Sequence, residues 1–273
     1  MIDPRLTPAR GDVAAAKLKG HVEAARFVEA SPRQVKHGVS ALRETPSFSG
    51  RLETQLLHGE IFDVYDEDER WAWGQCALDG YVGYVLREDL DEKVIAPTHR
   101  VAAIRAIGFP LPDKKSQPHL FLSANSKVSV AGIDDGFAQL ARGGYVFADQ
   151  LDALAARVDD WVASAERLVG VPYLWGGRDT LAVDCSGLVQ SALETGGILA
   201  LRDADMQEQS VGAELPGNAK LRRGDLVFWE GHVGIMRSAT ELLHANAFHM
   251  RTVIEPLTET IARMGAPRTL RRP

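Results

Sequence analysis

From residue 46 to residue 150 this chain is written in short runs such as "IFDVY", "WAWGQCAL" and "YVGYVL", broken by "DEDER" and "LDG". Alternation over so few residues, with Gly and Asp at the breaks, specifies small antiparallel sheets. Past Asp152 the texture turns helical. "DDWVASAERLVG" places Trp161, Ala165 and Leu168 at i, i+4 and i+7, an apolar stripe that ends at Gly170. "CSGLVQSALETGG" follows, and then the strand-rich "GDLVFWEGHVGIMRSATELLHANAF". Helices followed by antiparallel strands read as an α+β domain. The chain is therefore expected to change fold class near Asp152.

The endings "DGYVGYVLREDL" and "RGGYVFADQL" match, so residues 96–151 read as a second, divergent copy of the β module that precedes them. Two unrelated β segments would fit the same texture. Ahead of both, "GDVAAAKLKGHVEAARF" has helical composition with a weak apolar face, and "SPRQ" interrupts it at Ser31–Gln34. A partly helical arm is expected over residues 1 to 45. The expected division is 1–95 (arm and first β module), 96–151 (second module) and 152–273 (α+β domain).

Composition closes off several functions. An apolar fraction of 45% supports a sizeable core. No apolar run is long enough for a membrane helix. The opening "MIDPRLTPARGD" lacks the basic-then-apolar pattern of an export signal, so a cytoplasmic location is expected. A net charge of −6 argues against the basic surface that nucleic acid requires. No HExxH, CxxC or acidic calcium loop occurs, and "WGGRDT" is neither a dinucleotide fingerprint nor a P-loop, so no metal or cofactor is expected. The two cysteines, Cys76 and Cys185, read as reduced thiols. Cys76 alternates with tryptophans and is expected in a barrel core.

Cys185 is different. "DCSGLVQSALETGG" puts it at the first turn of a helix stopped by Gly196 and Gly197. Unpaired N–H groups and the positive end of the helix dipole favour a thiolate there and lower its pKa. The same N–H groups can stabilise an oxyanion. On this stretch alone a buried structural cysteine is the simpler reading. The histidines change that balance. His232, in "GHVGIM", and His244, in "LLHAN", fall on consecutive apolar strands that a short turn would place side by side. A thiol nucleophile needs an imidazole to take its proton, and the imidazole needs a partner on its other nitrogen.

Three blocks, "PYLWGGRDTLAVDCSGLVQSAL", "RRGDLVFWEGHVGIM" and "LLHAN", together resemble the NlpC-type papain-like cysteine peptidases in order and spacing. "HGE" and "GYVGYV" in the β region are similar to bacterial SH3-like domains attached to cell-wall enzymes. The resemblance implies an α+β papain-like catalytic domain preceded by two small all-β SH3-like barrels. It implies Cys185 as nucleophile, His232 as general base and acid, and His244 as the residue that orients it. Tyr173 matches the tyrosine that helps line the oxyanion site, and Asp184 and Ser186 match groups that hold the substrate's amino end. Arg202 and Asp203 open "RDADMQ", which resembles the segment after the nucleophile helix; relatives often carry serine where this chain has Ala204. Glu53 and Tyr81 match the SH3-domain groups that demand a free L-alanine amino terminus.

The implied activity is hydrolysis of the γ-D-glutamyl–diamino acid bond in a murein tripeptide or tetrapeptide (L-Ala-γ-D-Glu-diamino acid), as in cell-wall peptide recycling. A secreted hydrolase of intact peptidoglycan would use the same chemistry. An inactive wall-peptide binder would need none of Cys185, His232 and His244.

Overall fold

The computed structural model describes residues 3–273; Met1 and Ile2, the start of the segment read above for an export signal, lie outside the described residues. The chain divides into two compact units between Ala156 and Arg157.

The first unit is built of strands. Seven of them form a sheet in the order Leu52–Leu57, Val39–Arg43, Val82–Leu86, Trp71–Cys76, Ile61–Glu67, Ser31–Val35 and Leu90–Asp91. Every residue of Trp71–Cys76 is buried, Cys76 included, so that strand forms the middle of the module. Gly74 is required in it, because a Cβ there would meet the Asp63 carbonyl oxygen at 2.2 Å.

The helical arm expected before residue 45 does not form. Val13–Ala15 and Arg26–Val28 are strands paired in parallel, with one 3-10 turn at Ala16–Leu18 between them. Ser31–Val35 and Val39–Arg43 belong to the large sheet. The weak apolar face explains the outcome. A short helix has little stability of its own, whereas Val13 and Ala15 as a strand are fully buried against Tyr65 and Trp73. Pro32 is tolerated in Ser31–Val35 because the outer neighbour, Leu90–Asp91, pairs only with Gln34 and Val35. The missing N–H therefore faces no strand on that side.

Residues 99–153 make three smaller sheets around Val101, Ala106, Leu122, Val128, Leu140 and Val146. The matching sequence endings fold alike. In each, a strand (Val82–Leu86 or Tyr145–Phe147) leads into one 3-10 turn (Arg87–Asp89 or Ala148–Gln150) and then a short strand (Leu90–Asp91 or Leu151–Ala153).

The second unit is α+β. Its six-stranded antiparallel sheet runs Ala213–Leu215, Thr269–Arg272, Leu226–Trp229, His232–Met236, Glu241–Asn246, Arg251–Pro256. Four helices accompany it: α1 (Trp161–Glu166), α2 (Cys185–Thr195), α3 (Ala204–Ser210) and α4 (Leu257–Met264). Helix α1 stops at Glu166, short of the expected Gly170; Leu168 still reaches the core from the turn that follows.

Both sheet faces are covered, and the alternation of the strands sorts their residues between them. Phe228, Val233, Ile235 and Leu243 pack under Leu188, Val189, Ala192 and Leu193 of α2. Val227, Trp229, Met236 and Leu242 face Leu257 and Ile261 of α4. Burial of each such leucine contributes about 2 kcal/mol, and here it also holds α2 across the two strands that carry the histidines.

Candidate active site

Cys185 is the first residue of α2, and Asp184 caps the helix by accepting from the Gly187 N–H at 2.7 Å. Gly187 lets the helix start close to the preceding loop, since a Cβ would meet the Gly177 carbonyl oxygen at 2.2 Å. The backbone N–H groups of Ser186 and Val233 point at the sulfur, so the strand that begins at His232 runs against it. Cys185 is only 6% exposed.

His232 follows the turn at Gly231 (φ +67°), and His244 lies on the next strand. The register pairs Ile235 with Leu243 and Met236 with Leu242, which puts both imidazoles on one face. His232 Nε2 and His244 Nδ1 are 2.8 Å apart. With Nε2 engaged there, Nδ1 is the His232 nitrogen left for the thiol.

The chain of contacts continues past His244 to a residue with no signal in the sequence. Glu255 Oε1 on Arg251–Pro256 lies 2.9 Å from His244 Nε2 and accepts from the Thr260 hydroxyl at 2.7 Å, and Arg263 of α4 pairs with Glu255. Two of these partners come from α4, so only the packing of that helix marks Glu255 among the chain's acidic residues.

The electrostatics run against the sequence expectation. Burial, with the Asp184 charge adding to it, pushes the Cys185 thiol up to about 12. Burial and the neighbouring His244 push His232 down to about 3. Burial also pushes His244 down to about 4, with Glu255 opposing. The resting pair is a neutral thiol and a neutral imidazole. The helix tip does not reverse this because its N–H groups are partly spent: Gly187 donates to the Asp184 carboxylate and Leu188 to the Asp184 carbonyl. Modification of Cys185 by iodoacetamide, followed by peptide mapping, is therefore expected to accelerate steadily through about pH 9. A plateau reached below about pH 7 would mean a resting ion pair instead.

The other expected residues fall into two groups. Tyr173, bridged to Val183, is half-buried, and its hydroxyl is raised by burial and by the Cys185 and Asp184 charges. It stands beside the nucleophile. Asp184, Ser186 and Arg202 form one buried knot. Arg202 donates to the two Asp184 carboxylate oxygens at 3.0 and 2.7 Å and to Ser186 Oγ at 2.9 Å, and Gly176 N–H donates to Asp184 at 2.7 Å. The Asp184 carboxylate is thus committed to holding the start of α2. Asp203 precedes α3, where its carbonyl accepts the Gln207 N–H. Gln207, which the sequence pattern by itself does not single out, donates its side-chain amide to the Ser186 carbonyl at 2.9 Å. Glu53 and Tyr81 lie in the first unit, together: the Tyr81 hydroxyl donates to Glu53 at 3.5 Å, and Arg51 also pairs with Glu53 at 2.7 Å.

Cys76 and Cys185 are both buried and are not joined by a disulfide. Among the described residues no group of three or more His, Cys, Asp or Glu side chains is arranged to hold a metal, and no helix is long and apolar enough to cross a membrane.

Comparison with known proteins agrees with this geometry. Residues 42–90 match the bacterial dipeptidyl-peptidase Sh3 domain and residues 170–264 the NlpC/P60 family. The chain is 27% identical over 225 residues to dipeptidyl-peptidase 6 of Lysinibacillus sphaericus, covering 74% of this chain and 82% of that protein. It is 27% identical over 232 residues to the gamma-D-glutamyl-L-lysine dipeptidyl-peptidase of Bacillus subtilis (strain 168), covering 77% of each. An NlpC/P60 family protein from Bacillus cereus ATCC 10987 has the same fold, with a TM-score of 0.77 and 20% identity over 89% of this chain and 99% of that one. A thiol at a helix tip, a histidine pair on adjacent strands and an Sh3 domain ahead of them agree with these matches: the chain is a cysteine peptidase that carries a bacterial Sh3 domain followed by an NlpC/P60 domain.

Proposed function

We propose that this peptidase cleaves the γ-D-glutamyl–diamino acid bond of short murein peptides that carry a free N-terminal L-alanine. The observation that carries the reading is the hydrogen-bonded His232–His244 pair on strands packed beneath Cys185. The name of the B. subtilis relative supplies the bond type.

In this reading His232 Nδ1 takes the Cys185 proton as the sulfur attacks the γ-carbonyl carbon. The resulting oxyanion is met by N–H groups at the start of α2 and by the Tyr173 hydroxyl. The His232 imidazolium then protonates the departing amine of the diamino acid, leaving a thioester. Water, deprotonated by His232, releases L-Ala-D-Glu and restores the thiol. No cofactor takes part in this scheme. We place the reaction in the cytoplasm, on peptides already freed from the wall.

The test is incubation with L-Ala-γ-D-Glu-diaminopimelate, its N-acetylated form and intact sacculi. Release of L-Ala-D-Glu from the free amine alone is the expected result. Equal cleavage of the acetylated peptide refutes amine recognition, and release of fragments from sacculi refutes restriction to free peptides.

A further inference from the structure

We propose that Glu255 is a positioning residue of this site: it selects the tautomer of His244 and, through it, leaves Nδ1 of His232 bare to receive the Cys185 proton. This rests on the peptidase reading above.

His244 Nε2 has two close neighbours that ask opposite things of it. Glu255 Oε1 lies 2.9 Å away and Asn246 Nδ2 also 2.9 Å away. A carboxylate only accepts, so it requires an N–H on Nε2; an amide nitrogen only donates, so it requires a bare Nε2. The Asn246 amide is held in its orientation, because its oxygen accepts the His249 backbone N–H at 2.8 Å. Turning the amide over would forfeit that bond.

Glu255 prevails because it is charged. The Arg263 guanidinium and the Thr260 hydroxyl donate to it. Burial alone would raise its carboxyl, but these donors and the His244 ring hold it down to about 2. A hydrogen bond to a carboxylate is roughly twice as strong as a neutral one. His244 Nε2 therefore carries the hydrogen and donates it to Glu255.

The rest is counting. A neutral imidazole has one N–H, so His244 Nδ1 is bare and accepts. Its partner at 2.8 Å is His232 Nε2, which must then be the N–H. By the same count His232 Nδ1 is bare. If Asn246 decided instead, each hydrogen would move to the opposite nitrogen and His232 would present an N–H to the thiol, with no lone pair for its proton. When His232 becomes an imidazolium, the carboxylate two rings away also offsets its charge. The charged and titratable groups around this relay are His232, His244, His249, Glu255 and Arg263.

The first test needs no variant. Histidine 15N NMR of the full chain near neutral pH is expected to report Nε2–H and bare Nδ1 for both His232 and His244; an Nδ1–H on His232 overturns the proposal. The second is Glu255→Gln, which keeps the shape and adds a donor on the same side as Asn246. Both rings are expected to flip to Nδ1–H, with kcat down about a hundredfold or more and KM within about twofold. Glu255→Asp is expected to recover part of kcat and the original tautomers. A Glu255→Gln protein that keeps the parent tautomers and kcat refutes the role while leaving the peptidase reading intact. If the parent protein cleaves no murein peptide, that reading fails, and the NMR result still decides what Glu255 does to the two rings.

Discussion

Cys185→Ala is expected to lower turnover of the proposed substrate, a murein tripeptide, by about four to six orders of magnitude, the scale seen when a hydrolase loses its nucleophile. Its fold should persist. Cys185 packs within the α2 core, its sulfur meets only the backbone N–H groups of Ser186 and Val233, and losing one buried sulfur costs about 1 kcal/mol. His232→Ala should be almost as severe, and the double variant no worse than Cys185→Ala, because the two groups act in one step. Turnover by Cys185→Ala within a hundredfold of the parent protein, with contaminating peptidase excluded, would remove the thiol from the mechanism. Unfolding of the variant would instead reveal a structural cysteine.

Arg202→Met is expected to be the most destabilising single change in the second unit. Arg202 is 1% exposed, and its guanidinium satisfies both oxygens of Asp184. Removing it leaves a buried carboxylate facing methylene groups, which costs about 3–5 kcal/mol. For a unit of this size that lowers the melting temperature by roughly 10–20 °C. Calorimetry on Arg202→Met, Asp184→Asn and the double variant separates charge from packing. The double variant should be milder than Arg202→Met alone, since no unpaired charge remains buried. A strictly additive double variant would mean that the ion pair contributes little. Activity should fall with stability here, because Asp184 and Arg202 together set where α2 begins and hence where the thiol stands.

The parts of this molecule legible in its sequence are those set by neighbours along the chain. The switch from short alternating runs to a 3.6-residue period marks the change from an all-β unit to an α+β unit. Asp184 ahead of an apolar helix and Gly196–Gly197 behind it delimit α2. Two histidines on consecutive strands were enough to place their rings together, because a tight antiparallel pair leaves few registers. The first 45 residues depart from their helical pattern for the complementary reason. Alanines, lysines and valines at helical intervals say nothing about an aromatic face elsewhere that can bury Val13 and Ala15 as a strand.

The sequence by itself determined the chemistry available: a cysteine at a helix start, two imidazoles on paired strands, and an Sh3 module ahead of them. Tertiary structure alone decided how that chemistry is set. Burial places the thiol and imidazole in their neutral forms, Arg202 takes the Asp184 carboxylate away from solvent, and α4 fixes Glu255 against His244. Each of these depends on distance and dielectric between residues remote in the chain, and neither quantity is encoded by local pattern.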